Sequence, residues 1–240
     1  MYQGLRVIAL SPVLDEREKI AAVISRVPRD FVDEILIVDD GSSDDSPQVA
    51  RSLGATVIEL GKTLGVGAAI RTGYRYAVDN GYDVAVVMAG NNKDSPEEIP
   101  LLLDPIVEGR ADLVQGSRWL NDSTDFGAMP LYRKLATRLH PFIFRLISSA
   151  KLTDTTNGFR AATSSLLADP RLALDQDWLD EYELEVYLLY KASKLGYKVT
   201  EVGVTKRYPP KQLGQTKMKP IVGWWSILRP LLLLGLGIKK

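Results

Sequence analysis

The 240-residue chain has no cysteine and a single histidine, His140. Disulfides, thiolate zinc sites and cysteine nucleophiles are thereby excluded, and a histidine-based metal cluster cannot form. His140 precedes Pro141 in an apolar helical stretch, without the partner that a catalytic histidine usually has, so a structural role is expected. Net charge is missing too, since 30 basic residues balance 30 acidic ones. Nothing then attracts nucleic acid overall, none is expected as a partner, and any basic site must be local. No Gly-x-Gly-x-x-Gly follows the first strand, which argues against a dinucleotide-binding oxidoreductase. Met1 to Arg6 lacks the apolar run of a signal peptide, so a cytoplasmic location is expected.

What is present is an ordinary globular composition, 45% hydrophobic and 25% charged. The length suits one large α/β domain or two small ones. In the first half, strands are expected over residues 5–10, 33–38, 55–60, 84–88 and 111–115. Helices are expected over 15–27, 46–53, 68–80 and 96–108. Ser11-Pro12 should break the first strand, and Ser95 should N-cap the helix that begins at Pro96. This alternation with short connections predicts a mostly parallel central sheet with helices on both faces. Successive strands end in polar turns at 11–16, 39–44 and 89–94. In a parallel sheet those ends share one edge, where open α/β sheets bind ligands. Acidic turns there suit ribose hydroxyls, base edges or a divalent cation. Each alone also reads as helix capping. Gly65-x-Gly67 could let backbone approach a phosphate.

The second half is less regular. A long helix over 130–149 carries Arg133, Arg138 and Arg145. Residues 154–160, DTTNGFR, are turn-rich. A helix over 178–195 starts acidic, with Asp180, Glu181, Glu183 and Glu185. A strand over 197–204 leads into a basic loop, 206–219, with Pro209-Pro210 and Gly214. Residues 221–238 are apolar apart from Ser226 and Arg229, and Lys239-Lys240 follows. Arg229-Pro230 makes this a poor membrane span. Trp224, Trp225 and the flanking lysines suit a membrane surface. A buried terminal helix or a dimer contact is the alternative. The expected organisation is an α/β domain over 1–219 and a C-terminal apolar, membrane-associating helix over 220–240.

Several ordered markers add a family resemblance. Ser11-Pro12-Val13-Leu14-Asp15-Glu16 stands for a Pro-x-Tyr-Asn-Glu opening. Val38-Asp39-Asp40-Gly41-Ser42-Ser43-Asp44 stands for a nucleotide-binding turn. Residues 65–73, GVGAAIRTG, stand for a glycine loop and its helix. Gly116-Ser117-Arg118, the 154–160 segment and Tyr182-Glu183-Leu184-Glu185 complete the set. Over residues 5–217 the chain resembles family 2 glycosyltransferases of the GT-A fold, nearest to dolichyl-phosphate mannosyl- and glucosyltransferases. The resemblance implies a GT-A-like, Rossmann-like fold and inverting sugar transfer from a UDP- or GDP-linked donor. The implied acceptor is a polyprenyl or dolichyl phosphate at the cytoplasmic membrane face. Pro12, Asp15 or Glu16, Asp39 and Asp40 would then form the nucleotide pocket, with Arg71 beyond the glycine loop. Arg118, Arg133 and Thr137 would hold the acceptor phosphate, and Arg207 would face the donor diphosphate. A guanidinium can hold phosphate oxygens bidentately, and positive charge stabilises a departing diphosphate. A hydroxyl acceptor would instead need a carboxylate to take its proton, and Glu183 and Glu185 are the candidates.

The chain departs from the family pattern at Ala89-Gly90-Asn91, where an Asp-x-Asp usually holds Mg²⁺ or Mn²⁺. Asn91 and Asp94 remain as metal and catalytic candidates, a less charged donor set. Three readings stay open: a weakened Mg²⁺ or Mn²⁺ site, metal-independent transfer helped by Lys93 or Arg207, and loss of catalysis. A transferase for a saccharide or small hydroxyl acceptor and a non-catalytic nucleotide-sugar binding protein are the rivals to the lipid-phosphate enzyme. Homo-oligomerisation is left open.

Overall fold

The structure is a computed structural model that describes residues 1–120, 126, 129, 131–148, 150–208 and 220–239. The expected polar loop over 121–128, Phe126 excepted, the basic loop beyond Tyr208 and the side chain of Trp224 lie outside the described residues. Among the described residues the strands are β1 (Val7–Val13), β2 (Glu34–Asp39), β3 (Thr56–Glu59), β4 (Val84–Val87), β5 (Leu113–Ser117), β6 (Arg160–Thr163) and β7 (Val199–Gly203). They form one sheet in the order β3-β2-β1-β4-β6-β5-β7. The helices are α1 (Arg17–Ser25), α2 (Ser46–Ser52), α3 (Val66–Asp79), α4 (Ile99–Val107), α5 (Leu131–Ser148), α6 (Ser164–Leu167), α7 (Glu183–Lys194) and α8 (Pro220–Gly235).

The central strands are apolar at nearly every position because both faces are covered. Ile8, Leu10, Leu36, Val38, Ala85 and Val87 face a core shared with α3, α6 and α7. Val7, Ala9, Ile35, Ile37, Val84 and Val86 face the opposite core, under α1, α2 and α4. The period-2 alternation of strand side chains makes that division.

The expectation of a mostly parallel sheet is corrected to a mixed one. β6 runs antiparallel to both β4 and β5, while β1, β2, β3 and β4 pair in parallel, as do β5 and β7. β6 is only Arg-Ala-Ala-Thr, without the β-branched run that announces a strand. Its alanines fit because both faces are already crowded: Ala161 and Ala162 are fully buried. The reversed direction matters for the site, since it brings the loop before β6 to the edge where β1, β2 and β4 end.

Ser11-Pro12 does not break β1, which continues to Val13. Beyond Leu10 the β4 side of β1 has no strand partner among the described residues, whereas β2 stays paired to Val13. Pro12 lies an even number of positions from Leu10, whose carbonyl accepts from Met88 of the β4 side. Its missing N–H therefore falls on the bare side, where proline is tolerated. Ser95 precedes a 3₁₀ turn, Pro96–Glu98, and makes no side-chain cap bond.

The membrane-surface reading of the C-terminal helix is also corrected. α8 packs against α5 and α7, burying Ile227, Leu231 and Leu234. No helix among the described residues is long and apolar enough to cross a membrane.

Candidate active site

One cleft of about 650 Å³ opens along the edge where β1, β2 and β4 end. Pro12 at the end of β1, Glu16 after it, Asp40 after β2 and Ala89, Gly90, Asn91 and Lys93 after β4 line it. Arg118 after β5, Thr155, Thr156 and Gly158 before β6, and Arg133 and Thr137 on α5 line it too, as do Glu185 on α7 and Ile227 on α8. Segments far apart in sequence meet here because the sheet topology brings their ends to one edge.

At the β2 end, Asp40 accepts hydrogen bonds from the backbone of Leu64 at 2.7 Å and of Gly65 at 3.0 Å. Burial raises its pKa above the usual carboxylate value, although those N–H groups pull the other way. Asp39 is buried behind it. One of its oxygens accepts from Gly41 and Ser42, and the other has no hydrogen-bond partner among the described residues. Asp15 is exposed at a positive φ of 48° and accepts from the Ser43 backbone at 2.7 Å. It fixes the turn beside the cleft, and Glu16 is the residue that reaches into it.

Two glycine-loop expectations change. Two N–H groups in the first turn of α3, on Gly67 and Ala68, donate to the Asp180 carbonyl at 2.7 and 3.1 Å. A Cβ on Gly67 would stand 2.1 Å from the Leu179 carbonyl oxygen. Gly67 thus admits another stretch of backbone, not a phosphate. Arg71 pairs with Asp180 at 2.5 Å and does not line the cleft.

At the other end, Arg118 is buried and holds Asp154 at 2.6 Å, with Tyr208 at 2.9 Å. Burial opposes its charge, but Asp154 and Tyr208 together outweigh it and the pKa is raised. Arg133 has no carboxylate partner among the described residues, and burial lowers its pKa. The Thr137 hydroxyl donates to the Arg133 carbonyl at 2.8 Å, which anchors that turn of α5. His140 is structural. Its Nε2 meets the Ile227 carbonyl at 3.2 Å and its Nδ1 meets the Thr155 hydroxyl at 2.6 Å. A carbonyl only accepts, so Nε2 carries the proton and Nδ1 accepts from Thr155.

The late glutamates part company. Glu185 lines the cleft and meets Arg160 at 3.1 Å. Glu183 is buried away from it, paired with Arg229 at 2.7 Å. Glu181 also lines the cleft, and burial, then Glu183, raises its pKa.

The donor set around Asn91 and Asp94 is already engaged. Asp94 Oδ2 accepts from the Ala89 backbone at 2.8 Å, and Oδ1 meets the Lys206 ammonium at 2.5 Å. Lys206 also donates to Asn157 Oδ1 at 2.9 Å. Asn91 Oδ1 accepts from the Lys93 backbone at 3.3 Å. No group of three or more acidic, histidine or cysteine residues that could hold a metal ion exists among the described residues. A divalent cation at Asp94 would meet a resident ammonium, so these residues do not fit one. Arg207, expected at the diphosphate, is exposed and outside the cleft. Residues 204–207 run extended beside the β4 turn, with an Asp94–Lys206 bridge and an Arg207 N–H to Lys93 carbonyl bond of 2.7 Å. Neighbouring side chains of an extended segment point opposite ways, so Lys206 enters and Arg207 leaves. The basic character of the loop was visible in sequence; that register was not. Lys93 lines the cleft, its pKa pushed down to about 8 by burial, with Arg133 and Lys206 adding to the effect.

The model of glycosyl transferase family 2 matches residues 10–168. The chain belongs to that family. It is 32% identical to an undecaprenyl-phosphate mannosyltransferase of Micrococcus luteus, over 89% of this chain and 88% of that protein. It is 29% identical to a polyprenol monophosphomannose synthase of Mycolicibacterium smegmatis, over 89% and 81%. The glucosyl-3-phosphoglycerate synthase of Mycobacterium tuberculosis, solved with Mn²⁺, UDP and phosphoglyceric acid, has the same fold. It matches with a TM-score of 0.73 at 22% identity, over 99% of this chain and 81% of that one. The family 2 glycosyltransferase is thus an enzyme using a nucleotide-sugar donor. The expected lipid-phosphate acceptor and membrane partner are corrected: the structural match runs over nearly the whole chain to an enzyme named for phosphoglycerate, and α8 is packed into the fold.

Proposed function

We propose that this chain transfers a hexosyl group from a nucleoside-diphosphate sugar to the hydroxyl of a small, anionic acceptor such as a phosphorylated hydroxy acid. The observation that carries this reading is the continuity of the cleft from Asp40 to Arg133. A nucleotide at Asp40, Glu16 and Pro12 puts its diphosphate and sugar beside Asn91 and Lys93. Arg133, on the far wall, suits the acceptor's phosphate or carboxylate. The fold shared with a synthase solved with UDP and phosphoglyceric acid supports the same assignment.

Glu185 takes the acceptor proton in this reading. A hydroxyl nucleophile needs a carboxylate within reach, and of the two late glutamates only Glu185 lines the cleft. The acceptor oxygen bonds to the anomeric carbon as the bond to the β-phosphate oxygen breaks. The electron pair leaves with the diphosphate, and the proton goes to Glu185.

The test is release of UDP or GDP from their hexose conjugates, with and without 3-phosphoglycerate or another phosphorylated hydroxy acid. Acceptor-dependent release that Glu185→Gln reduces at least 100-fold in kcat, with donor affinity kept, is expected. Donor binding without turnover on any such acceptor would replace this reading with a nucleotide-sugar binding protein.

A further inference from the structure

The Lys206–Asp94 pair abuts the Ala89-Gly90-Asn91 turn, where the family pattern has its metal carboxylates, and Lys93 stands beside it on the cleft wall. We propose that Lys93 and Lys206 supply the positive charge that a divalent cation supplies in metal-dependent relatives, and that the enzyme binds its donor diphosphate without metal. This rests on the donor half of the reading above and not on the acceptor.

The geometry assigns the two lysines different tasks. Lys206 is a positioning residue. Its ammonium is held between Asp94 Oδ1 at 2.5 Å and Asn157 Oδ1 at 2.9 Å. It neutralises a carboxylate that is 2% exposed and, among the described residues, is otherwise bonded only to the Ala89 backbone. The backbone bridge between residues 94 and 206 fixes this contact to within the play of a β-pair. Asn157 belongs to the loop before β6 and gives its carbonyl oxygen to Lys206 and its amide N–H to the Gly116 carbonyl at 3.0 Å. The ammonium therefore ties together the β4 turn, the β5 end and the β6 entry, all three at the cleft.

Lys93 is the catalytic cation. It lines the cleft, is 7% exposed, and has no carboxylate within ion-pair distance among the described residues. Its backbone is clamped on both sides, the N–H to Asn91 Oδ1 and the carbonyl to the Arg207 N–H. The Glu16 carboxylate across the cleft offsets only part of the cost of this buried cation, which falls further when a ligand brings an anion into contact. When the bond from the anomeric carbon to the β-phosphate oxygen breaks, the diphosphate gains one negative charge. An ammonium already in place at that oxygen stabilises the charge without reorganisation. Asn91, an amide where the relatives have a carboxylate, fits the same account: a cleft with fewer anions needs no divalent ion to bind an anionic donor.

The experiment is UDP and GDP binding to the full chain by titration calorimetry, in EDTA and in millimolar Mn²⁺, with the matching nucleosides as controls. It needs no acceptor, so its failure is distinct from failure of the turnover assay. The expected result is diphosphate affinity that differs by less than twofold between EDTA and Mn²⁺. Lys93→Met should weaken diphosphate binding at least tenfold and leave nucleoside binding and Tm unchanged. Lys206→Ala frees Asp94 and should make binding respond to Mn²⁺ by at least fivefold, a response that a purely structural lysine would not produce. Should Lys206→Ala fail to fold, Lys93→Met and the EDTA comparison on the parent chain still decide. Tenfold or greater loss of parent affinity in EDTA, or parent-like diphosphate binding by Lys93→Met, would overturn the proposal.

Discussion

Arg229 of α8 lies 2.7 Å from Glu183 at the start of α7. The contact joins the C-terminal helix to the helix that carries Glu185. Glu183 is only 3% exposed on its side chain, and its second oxygen has no hydrogen-bond partner among the described residues. Arg229→Met leaves that carboxylate uncompensated. Breaking a fully buried pair costs about 3–5 kcal/mol, and Arg229 is partly exposed, so about 2 kcal/mol is expected. Urea unfolding should show a lower midpoint at unchanged slope. Adding Glu183→Gln to Arg229→Met should restore part of the loss, since it removes the stranded charge.

His140 sets a pH dependence. Burial holds its pKa below the ordinary 6.5, against the opposing Ile227 carbonyl and Asp154. The folded state therefore keeps the neutral ring while the unfolded chain takes up a proton. The stability it contributes is complete above pH 6.5 and is lost as pH falls through the depressed folded value. Tm measured between pH 7.5 and 5 should fall more steeply for the parent than for His140→Gln. Parallel curves would remove His140 from the account.

Gly67→Ala places a methyl group against the Leu179 and Glu181 carbonyl oxygens, at 2.1 and 2.4 Å. Backbone must move, at a cost of about 1–3 kcal/mol by the usual overpacking range. The displaced segment carries Glu181 and Tyr182, both of which line the cleft. Loss of stability should come with weaker nucleotide binding, measured by calorimetry. Normal binding by a destabilised variant would confine the glycine to folding.

Arg133→Ala should raise KM for an anionic acceptor roughly 10- to 100-fold and leave donor KM within twofold. That corresponds to the loss of one charge-assisted contact of about 1.5–3 kcal/mol. An uncharged hydroxyl acceptor should not respond to the substitution. Steady-state kinetics with paired acceptors that differ only in the phosphate make the comparison.

Much of the donor side was legible in sequence because it is built from local signals. A strand that runs out into an acidic turn and then a helix gives β1, β2, β4 and the placement of Pro12, Glu16, Asp40 and Asn91 without any long-range information. What failed depends on register and direction. β6 has no apolar run, so its reversal and the mixed sheet were invisible. Lys206 and Arg207 differ only in which way an extended segment faces, and Asp94 decides that from 112 positions away. Arg71 and Glu183 carry the right chemistry at plausible spacing, but Asp180 and Arg229 hold them elsewhere. Gly67 was read for a phosphate because spacing alone cannot say which chain approaches a glycine.

The central position of β4 has a consequence for the order in which the molecule assembles. Val84 pairs backward with Val7 and forward with Thr163. A chain synthesised from its N-terminus can complete β3-β2-β1-β4 and its covering helices before β6 exists. Until then β4 is an open edge, the kind of edge that mispairs. The seam that closes late is the one running through the middle of the cleft, so the strand ends carrying Glu16 and Asp40 can form first, while Lys93 and Asp94 wait for Lys206 and Arg207 to fix them. Pulse-labelled amide exchange should find β1 and β2 protected ahead of β5 and β7.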